Sequence, residues 1–363
     1  MKKLGAVAMM ATMVTVNAFA GDHTINLMGR GGWTYKNNDP AKTQISNSSS
    51  MNFDYLRTTF AGVVTPSVKY TVTADFLNAH ASPDVVDQTS DYVYEAFLTK
   101  TFSTGTSATL GKRAVLIGGR EYDYSDLDRY TNSYFFDATP SNQMGLTLSQ
   151  DVAGQTFMIQ YFNGNKDNGK VDANNSPVNA QSKYGYGVAW YGDFAGGMIK
   201  PIVGYSTLPE AVGTSSTGGS RAYKGADNFL SAGVQINTPH DITIEADYNL
   251  LTEKDASLNA AGTAGSKSDL KTTSITAVVR YNAERFAPFA RFIADTRKNG
   301  SVKTEQRSAY DLGLEFKEAK DDAVRYHVVY SGSTVKSNMN TTEVKSSPSS
   351  ILVGIKFDAA ILK

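Results

Sequence analysis

A run of charge marks residues Gly118-Gly119-Arg120-Glu121-Tyr122-Asp123-Tyr124-Ser125-Asp126-Leu127-Asp128-Arg129. Its carboxylates are Glu121, Asp123, Asp126 and Asp128, and its bases are Arg120 and Arg129. Carboxylates so closely spaced can serve as acid and base, line the path of an ion, or form a solvated surface loop. Acid–base or nucleophilic catalysis would need partners that the chain hardly supplies. The histidines are His23, His80, His240 and His327, there is no cysteine, and no G-x-S-x-G, H-E-x-x-H or P-loop pattern occurs. No His or Cys spacing suits a metal. The sequence therefore reads as a non-enzyme with no cofactor and no metal, whose charges act through their field.

The remaining charges sit in a regular pattern. Between residues 68 and 77, Val68, Tyr70, Val72, Ala74 and Phe76 alternate with Lys69, Thr71, Thr73 and Asp75. Ile242, Ile244, Ala246, Tyr248 and Leu250 alternate with Thr243, Glu245, Asp247 and Asn249. Tyr310, Leu312, Leu314 and Phe316 do so with Asp311, Gly313 and Glu315, and Val324, Tyr326, Val328 and Tyr330 with Arg325, His327 and Ser331. Period two is the signature of a strand with one apolar and one polar face. On polar faces fall Arg30, Arg57, Arg113, Arg280, Arg291 and Arg325, and with them the acids Asp75, Glu95, Glu245 and Asp247. Apolar faces carry aromatics near strand ends, as at Trp33 and Tyr35, Tyr92 and Tyr94, or Tyr326 and Tyr330.

Such strands must be joined, and the joints alternate. Short turns rich in Gly, Pro, Asn or Asp lie near residues 65–67, 103–105, 152–154, 195–197, 238–240, 282–284 and 318–321. Longer polar stretches lie at 36–52, 81–90, 116–141, 165–182, 208–226, 253–270, 298–303 and 336–347. This alternation predicts about sixteen antiparallel strands, with short turns on one rim and long loops on the other. Past the first residues no apolar run reaches the roughly 18 residues of a membrane helix. A chain that spans lipid with strands must close into a barrel, because lipid offers no partner to an open edge. An arginine facing mid-membrane lipid would cost roughly 2–4 kcal/mol, which assigns the polar faces to the interior. A sixteen-stranded barrel encloses an aqueous channel.

Composition agrees. There are 20 Tyr, 17 Phe and 31 Gly, and 35 basic residues balance 35 acidic ones, so no basic excess points to nucleic acid. Met1-Lys2-Lys3, the apolar stretch from Leu4 to Val16 and the site Ala18-Phe19-Ala20 read as a secretory signal peptide. The expected organisation is a leader at 1–20 and one barrel over 21–363.

With signal peptide, strand number and an oversized third loop, the chain resembles the trimeric general porins of Gram-negative outer membranes. Tyr92-Val93-Tyr94-Glu95-Ala96-Phe97 followed by Ala108-Thr109-Leu110-Gly111-Lys112-Arg113 is also similar to the phosphate-selective porin superfamily. The resemblance implies an outer-membrane barrel, a homotrimer in contact with lipid and lipopolysaccharide, and passage of small hydrophilic solutes and ions. It also implies that the third loop, 116–141, folds into the lumen as a constriction. Gly118 and Gly119 would turn the backbone inward, and the carboxylates of the loop would then face the inward arginines, Arg30, Arg57 and Arg113 first. The expected selectivity is weak and slightly cationic. An anion- or phosphate-selective channel and a non-conducting structural or adhesion barrel are the alternatives. Many such barrels end on an aromatic. Here Phe357 precedes Asp358 to Lys363, which leaves open whether Phe357 is that residue in a displaced position or the tail is frayed.

Overall fold

A computed structural model describes residues 22–37, 48–77, 93–140, 142–163, 184–209, 226–258, 264–319, 322–339 and 342–362. The expected leader at 1–20 lies outside them, as do Tyr92 and His80 and the connections at 38–47, 78–92, 164–183 and 210–225. The strands are β1 (His23–Asn37), β2 (Ser48–Thr65), β3 (Val68–Asp75), β4 (Val93–Thr101), β5 (Thr106–Arg113), β6 (Gln143–Val152), β7 (Gln155–Asn163), β8 (Tyr184–Gly192) and β9 (Ile199–Pro209). They continue as β10 (Ala226–Asn237), β11 (Ile242–Leu258), β12 (Ala264–Tyr281), β13 (Phe286–Asn299), β14 (Val302–Phe316), β15 (Val324–Met339), β16 (Thr342–Ser346) and β17 (Ser349–Leu362). Two short helices, α1 (Arg120–Asp123) and α2 (Tyr134–Asp137), lie between β5 and β6.

Apart from β16 and β17, every strand pairs antiparallel with its sequence neighbour, and β1 pairs with β17, so the wall is closed. β16 and β17 are two pieces of one stave. Both pair with β15, from Val335↔Ser346 and from Gly332↔Ser349, and Pro348 between them has no N–H to give the ladder. Counted so, the barrel has 16 strands, as the turn pattern predicts.

The two faces differ as period two requires. In β8, Tyr184, Tyr186 and Val188 are exposed while Gly185, Gly187 and Ala189 are buried. In β14 the exposed face carries Leu312 and Leu314, and the buried one Asp311 and Glu315, 1% and 0% exposed. An apolar outside around a charged inside suits lipid without and water within. Aromatics lie near the short-turn rim, where Phe286, Phe316 and Tyr326 stand at successive centroid distances of 5.3 and 6.3 Å. Trp33 and Tyr35, 6.1 Å apart, lie near the other end.

Two expectations need correction. The stretches 253–270, 298–303 and 336–347 are largely strand: β11 reaches Leu258, β14 starts two residues after Gly300, and β15 reaches Met339. The sequence of these stretches lacks a sustained period-two pattern, yet the backbone still pairs. Tyr94 leaves the outer face: the β3–β4 register steps from Thr73↔Glu95 to Ala74↔Val93, and the Tyr94 ring lies 3.5 Å from the Arg57 guanidinium. A bulge frees one residue from the alternation, and the cation draws it inward. The tail past Phe357 is paired, with Leu27↔Ala359 and Ile25↔Leu362.

Candidate functional site

The segment between β5 and β6 is where the charged run lies, and its contacts define the site. Its first part follows β7 to β11. Leu116 N–H donates to Gln160 Oε1 at 2.9 Å, and Gln160 Nε2 donates to the Ala114 carbonyl at 3.0 Å. The Ser206 hydroxyl donates to the Leu116 carbonyl. Small residues on the inner wall admit this approach. Gly118 has φ +79, and a Cβ there would lie 2.6 Å from Gly204 N, so neither residue can carry a side chain without displacing backbone. Val115, Ile117 and Phe135 of the segment pack with Phe162, Leu208, Phe229 and Leu251 of the wall in one apolar cluster. This sector of the inner face carries an apolar cluster beside buried Gln160 and Ser206.

At α1 the first N–H groups lack intrahelical partners, and Gly119 at the N-cap has no side chain to offer them. Asp247 of β11 supplies the acceptor, taking Arg120 N–H at 2.7 Å and Glu121 N–H at 2.8 Å. Glu121 is 3% exposed and joins three elements. It accepts from Arg291 at 2.5 Å, from Ser133 N–H at 2.9 Å and from the Ser133 hydroxyl at 2.6 Å. Ser133 in turn caps α2 through Phe136 N–H at 3.0 Å. Phe135 N–H donates to Ser274 at 3.1 Å and Tyr134 N–H to Asp295 at 3.2 Å.

Between the helices the segment meets the opposite flank. Arg57 bridges Asp75 of β3 and Asp126, both at 3.0 Å, and Arg129 also pairs with Asp126. Arg30 donates to the carbonyls of Asp126, Leu127 and Arg129 at 3.1, 3.2 and 2.8 Å. Asp128 pairs with Lys356 and, at 3.5 Å, with Arg325. Beneath it Glu315 holds Lys356 at 2.5 Å, Arg280 at 3.0 Å and Arg325 at 3.2 Å. The Thr131 hydroxyl donates to Asp311 at 2.6 Å. Tyr130 lies between Phe289 and His327, each 5.6 Å away.

The electrostatics of the segment follow from these partners. Burial alone would raise the Asp128 carboxyl, but Lys356, Arg280 and Arg325 outweigh it and hold it well below the usual carboxylate range. Asp123 is the most open of the four acids, with its side chain 38% exposed. Its carboxyl is pushed up to about 6 by burial, against the pull of Arg120 and with a further push from Asp247. Each acid of the run thus has a cation: Glu121 has Arg291, Asp123 has Arg120, Asp126 has Arg57 and Arg129, and Asp128 has Lys356 and Arg325.

Of the basic residues expected on polar faces, Arg30, Arg57, Arg291 and Arg325 touch the segment directly. Arg280 reaches it through Glu315 and the Lys356 that Glu315 shares with Asp128, while Arg113 stands 5.6 Å from the Phe97 ring at its root. Of the acids, Asp247 holds α1 and Asp75 holds Arg57. Glu95 and Glu245 lie on the same inner face, half-buried. Lys356, Asp295, Asp311, Arg307 and Gln160 were not foreseen as part of the site. Lys356 between Ile355 and Phe357 follows period two, so alternation marks it as inward. His23 stands 3.1 Å from the Tyr70 hydroxyl, His240 is in the β10–β11 turn and His327 faces Tyr130, so the described histidines lie in three separate places.

No protein-family model matches the sequence, and no curated protein matches it. Solved structures do match. The anion-selective porin from Comamonas acidovorans has a TM-score of 0.63 at 12% identity, over 93% of this chain and 100% of that one. OmpT, an outer membrane protein of Vibrio cholerae in its trimer form, gives 0.60 at 13%, over 93% and 100%. Salmonella typhi OmpF gives 0.58 at 17% identity, over 93% and 97%. The chain has the fold of the outer-membrane porins.

Proposed function

We propose that the chain is an outer-membrane porin: a water-filled channel through which small hydrophilic solutes and ions diffuse passively, with weak selectivity. The observation that carries this reading is the set of contacts from residues 114–142 to inner-face side chains of strands from β7 round to β2. A segment fastened on opposite flanks of a closed wall would lie across the lumen and narrow it. The apolar outer face fits outer-membrane lipid, and the leader at 1–20 would bring the chain there. Weak selectivity follows because each carboxylate of the charged run at 118–129 is matched by a base, so little net field remains to favour one ion. Arg120, Glu121, Asp123, Asp126, Asp128 and Arg129 are then the residues of the constriction. A homotrimer is part of the reading, supported by the fold shared with a trimeric form.

The test is single-channel conductance of the refolded mature protein in a planar bilayer, with reversal potential under a salt gradient. Ohmic steps in threes with a reversal potential near zero support the proposal. Strong anion selectivity would transfer the reading to an anion-specific channel. A correctly folded barrel that passes no current would sink it in favour of a structural or adhesion role.

A further inference from the structure

Two adjoining cavities of about 240 and 210 Å³ share Lys36, Ser331 and Ser350. They lie toward the long-connection ends of β1, β2, β15 and β17, with Tyr130 and Thr131 of the inter-helical stretch on their other side. Lys36 is one residue before the end of β1, and Ser350 one residue after the start of β17. The strand residues around the first cavity belong to the inward parity: Lys36 with Arg30 on β1, Ser331 with His327 on β15, Ser350 with Lys356 on β17.

Hydroxyls and charges dominate this lining. Hydroxyls of Thr34, Ser50, Ser331 and Ser350 surround the first cavity, and those of Ser333 and Ser349 adjoin the second. Cations outnumber carboxylates, with Arg30, Lys36 and Arg307 against Asp54. Asp54 is 3.7 Å from Arg30, and Asp295, which pairs with Arg307 at 2.6 Å, is 2% exposed and presents little to the cavity. Arg30 Nε is buried without a hydrogen bond among the described residues and has Asp54 at 3.7 Å. A buried donor of this kind is rare unless something else meets it.

We infer that this is a binding subsite, on the long-connection side of the constriction, for a small polyhydroxylated monoanion of the sugar-acid class. The row of hydroxyls exchanges hydrogen bonds with a polyol, and Lys36, free to follow its partner on an exposed side chain, meets the single negative charge. A simple anion would use only the cation, and a neutral polyol only the hydroxyls. Binding here would gather such solutes above the constriction before they cross it. The inference rests on the channel reading for its purpose but not for its test.

The experiment uses gluconate as the probe, with acetate and sorbitol as single-feature controls. Saturation-transfer NMR on the micelle-folded protein should show gluconate binding, with acetate and sorbitol far weaker, and Lys36→Gln or Ser331→Ala with Ser350→Ala should weaken it about tenfold. In bilayers, gluconate should interrupt the current when added on the long-connection side. Equal transfer to acetate, absence of transfer to gluconate, or unchanged binding in both variants overturns the subsite. Gluconate binding to a barrel without conductance would overturn the channel reading and leave the subsite standing.

Discussion

The segment between β5 and β6 is held by two flanks of the same wall in two different ways. On β7 to β12 it rests on an apolar cluster and on hydrogen bonds between its backbone and neutral side chains, with Asp247 the one charged acceptor. On β13 to β17 and β1 to β2 it is held by ion pairs, Arg291, Lys356, Arg325 and Arg57 each meeting a carboxylate of the segment. The first flank sets position by shape, since close packing tolerates little displacement. The second sets it by charge, through the ion pairs of the run.

The contrast can be broken at either flank. The largest effect is expected from Gly118→Val, which sets a branched side chain where a Cβ already lies 2.6 Å from Gly204 N. The segment should leave β9, and single-channel conductance should rise several-fold while the barrel keeps its folded mobility on gels. Unchanged conductance would show that this approach is not what narrows the lumen. Next, Lys356→Met strips one of the two cations, with Arg325, that Asp128 and Glu315 share. Removing one partner of a buried pair costs about 3–5 kcal/mol, readable in denaturant unfolding of the micelle-folded protein, and Glu315→Gln added to it should return part of the loss.

On the apolar flank, Phe135→Ala should cost about 3 kcal/mol locally, seen as faster hydrogen exchange at Ile117. This loss should not depend on salt, whereas a weakened contact in Arg57→Gln should. If both respond alike to salt, the distinction between the flanks fails. The smallest effect concerns Asp123, whose carboxyl is pushed up to about 6. It is charged above that pH and neutral below, so cation preference should fall as pH drops from 7 to 5. The change in permeability ratio should be no more than about twofold in a lumen lined by many other charges. Asp123→Asn should remove the step, and a step that persists would assign it elsewhere.

The barrel was legible because period two is written into every stave that crosses lipid. Val324, Tyr326 and Val328 against Arg325 and His327 declare a face without any knowledge of neighbours. Where the wall rises past the lipid the signal stops, and 298–303 and 336–347 read as loops although β13 and β15 continue through part of them. Bulges hide in the same way. Tyr94 continues the alternation on paper, and only the paired register reveals that it has stepped aside. The charged run at 118–129 could be picked out as a site, and the inward arginines with it. Which arginine meets which acid could not, because Arg57 and Arg325 are brought to Asp126 and Asp128 by closure of the whole ring. The apolar inner sector was hidden for a related reason: Phe162, Phe229 and Leu251 look like lapses in a polar face until the segment that covers them is in place.

The seam between β1 and β17 bears on how such a molecule is made. Asn26 donates a hydrogen bond to Asp358 at 2.6 Å across 332 positions of sequence. Each hairpin can zip onto the previous one at small entropic cost, but the closing pair joins strands nearly the full chain apart and forms only when all others exist. Until then β1 and β17 both present unpaired edges, open to other chains. The ladder that continues past Phe357 to Leu362 lengthens this join, so the closing pair also ends in an extended stretch of backbone pairing.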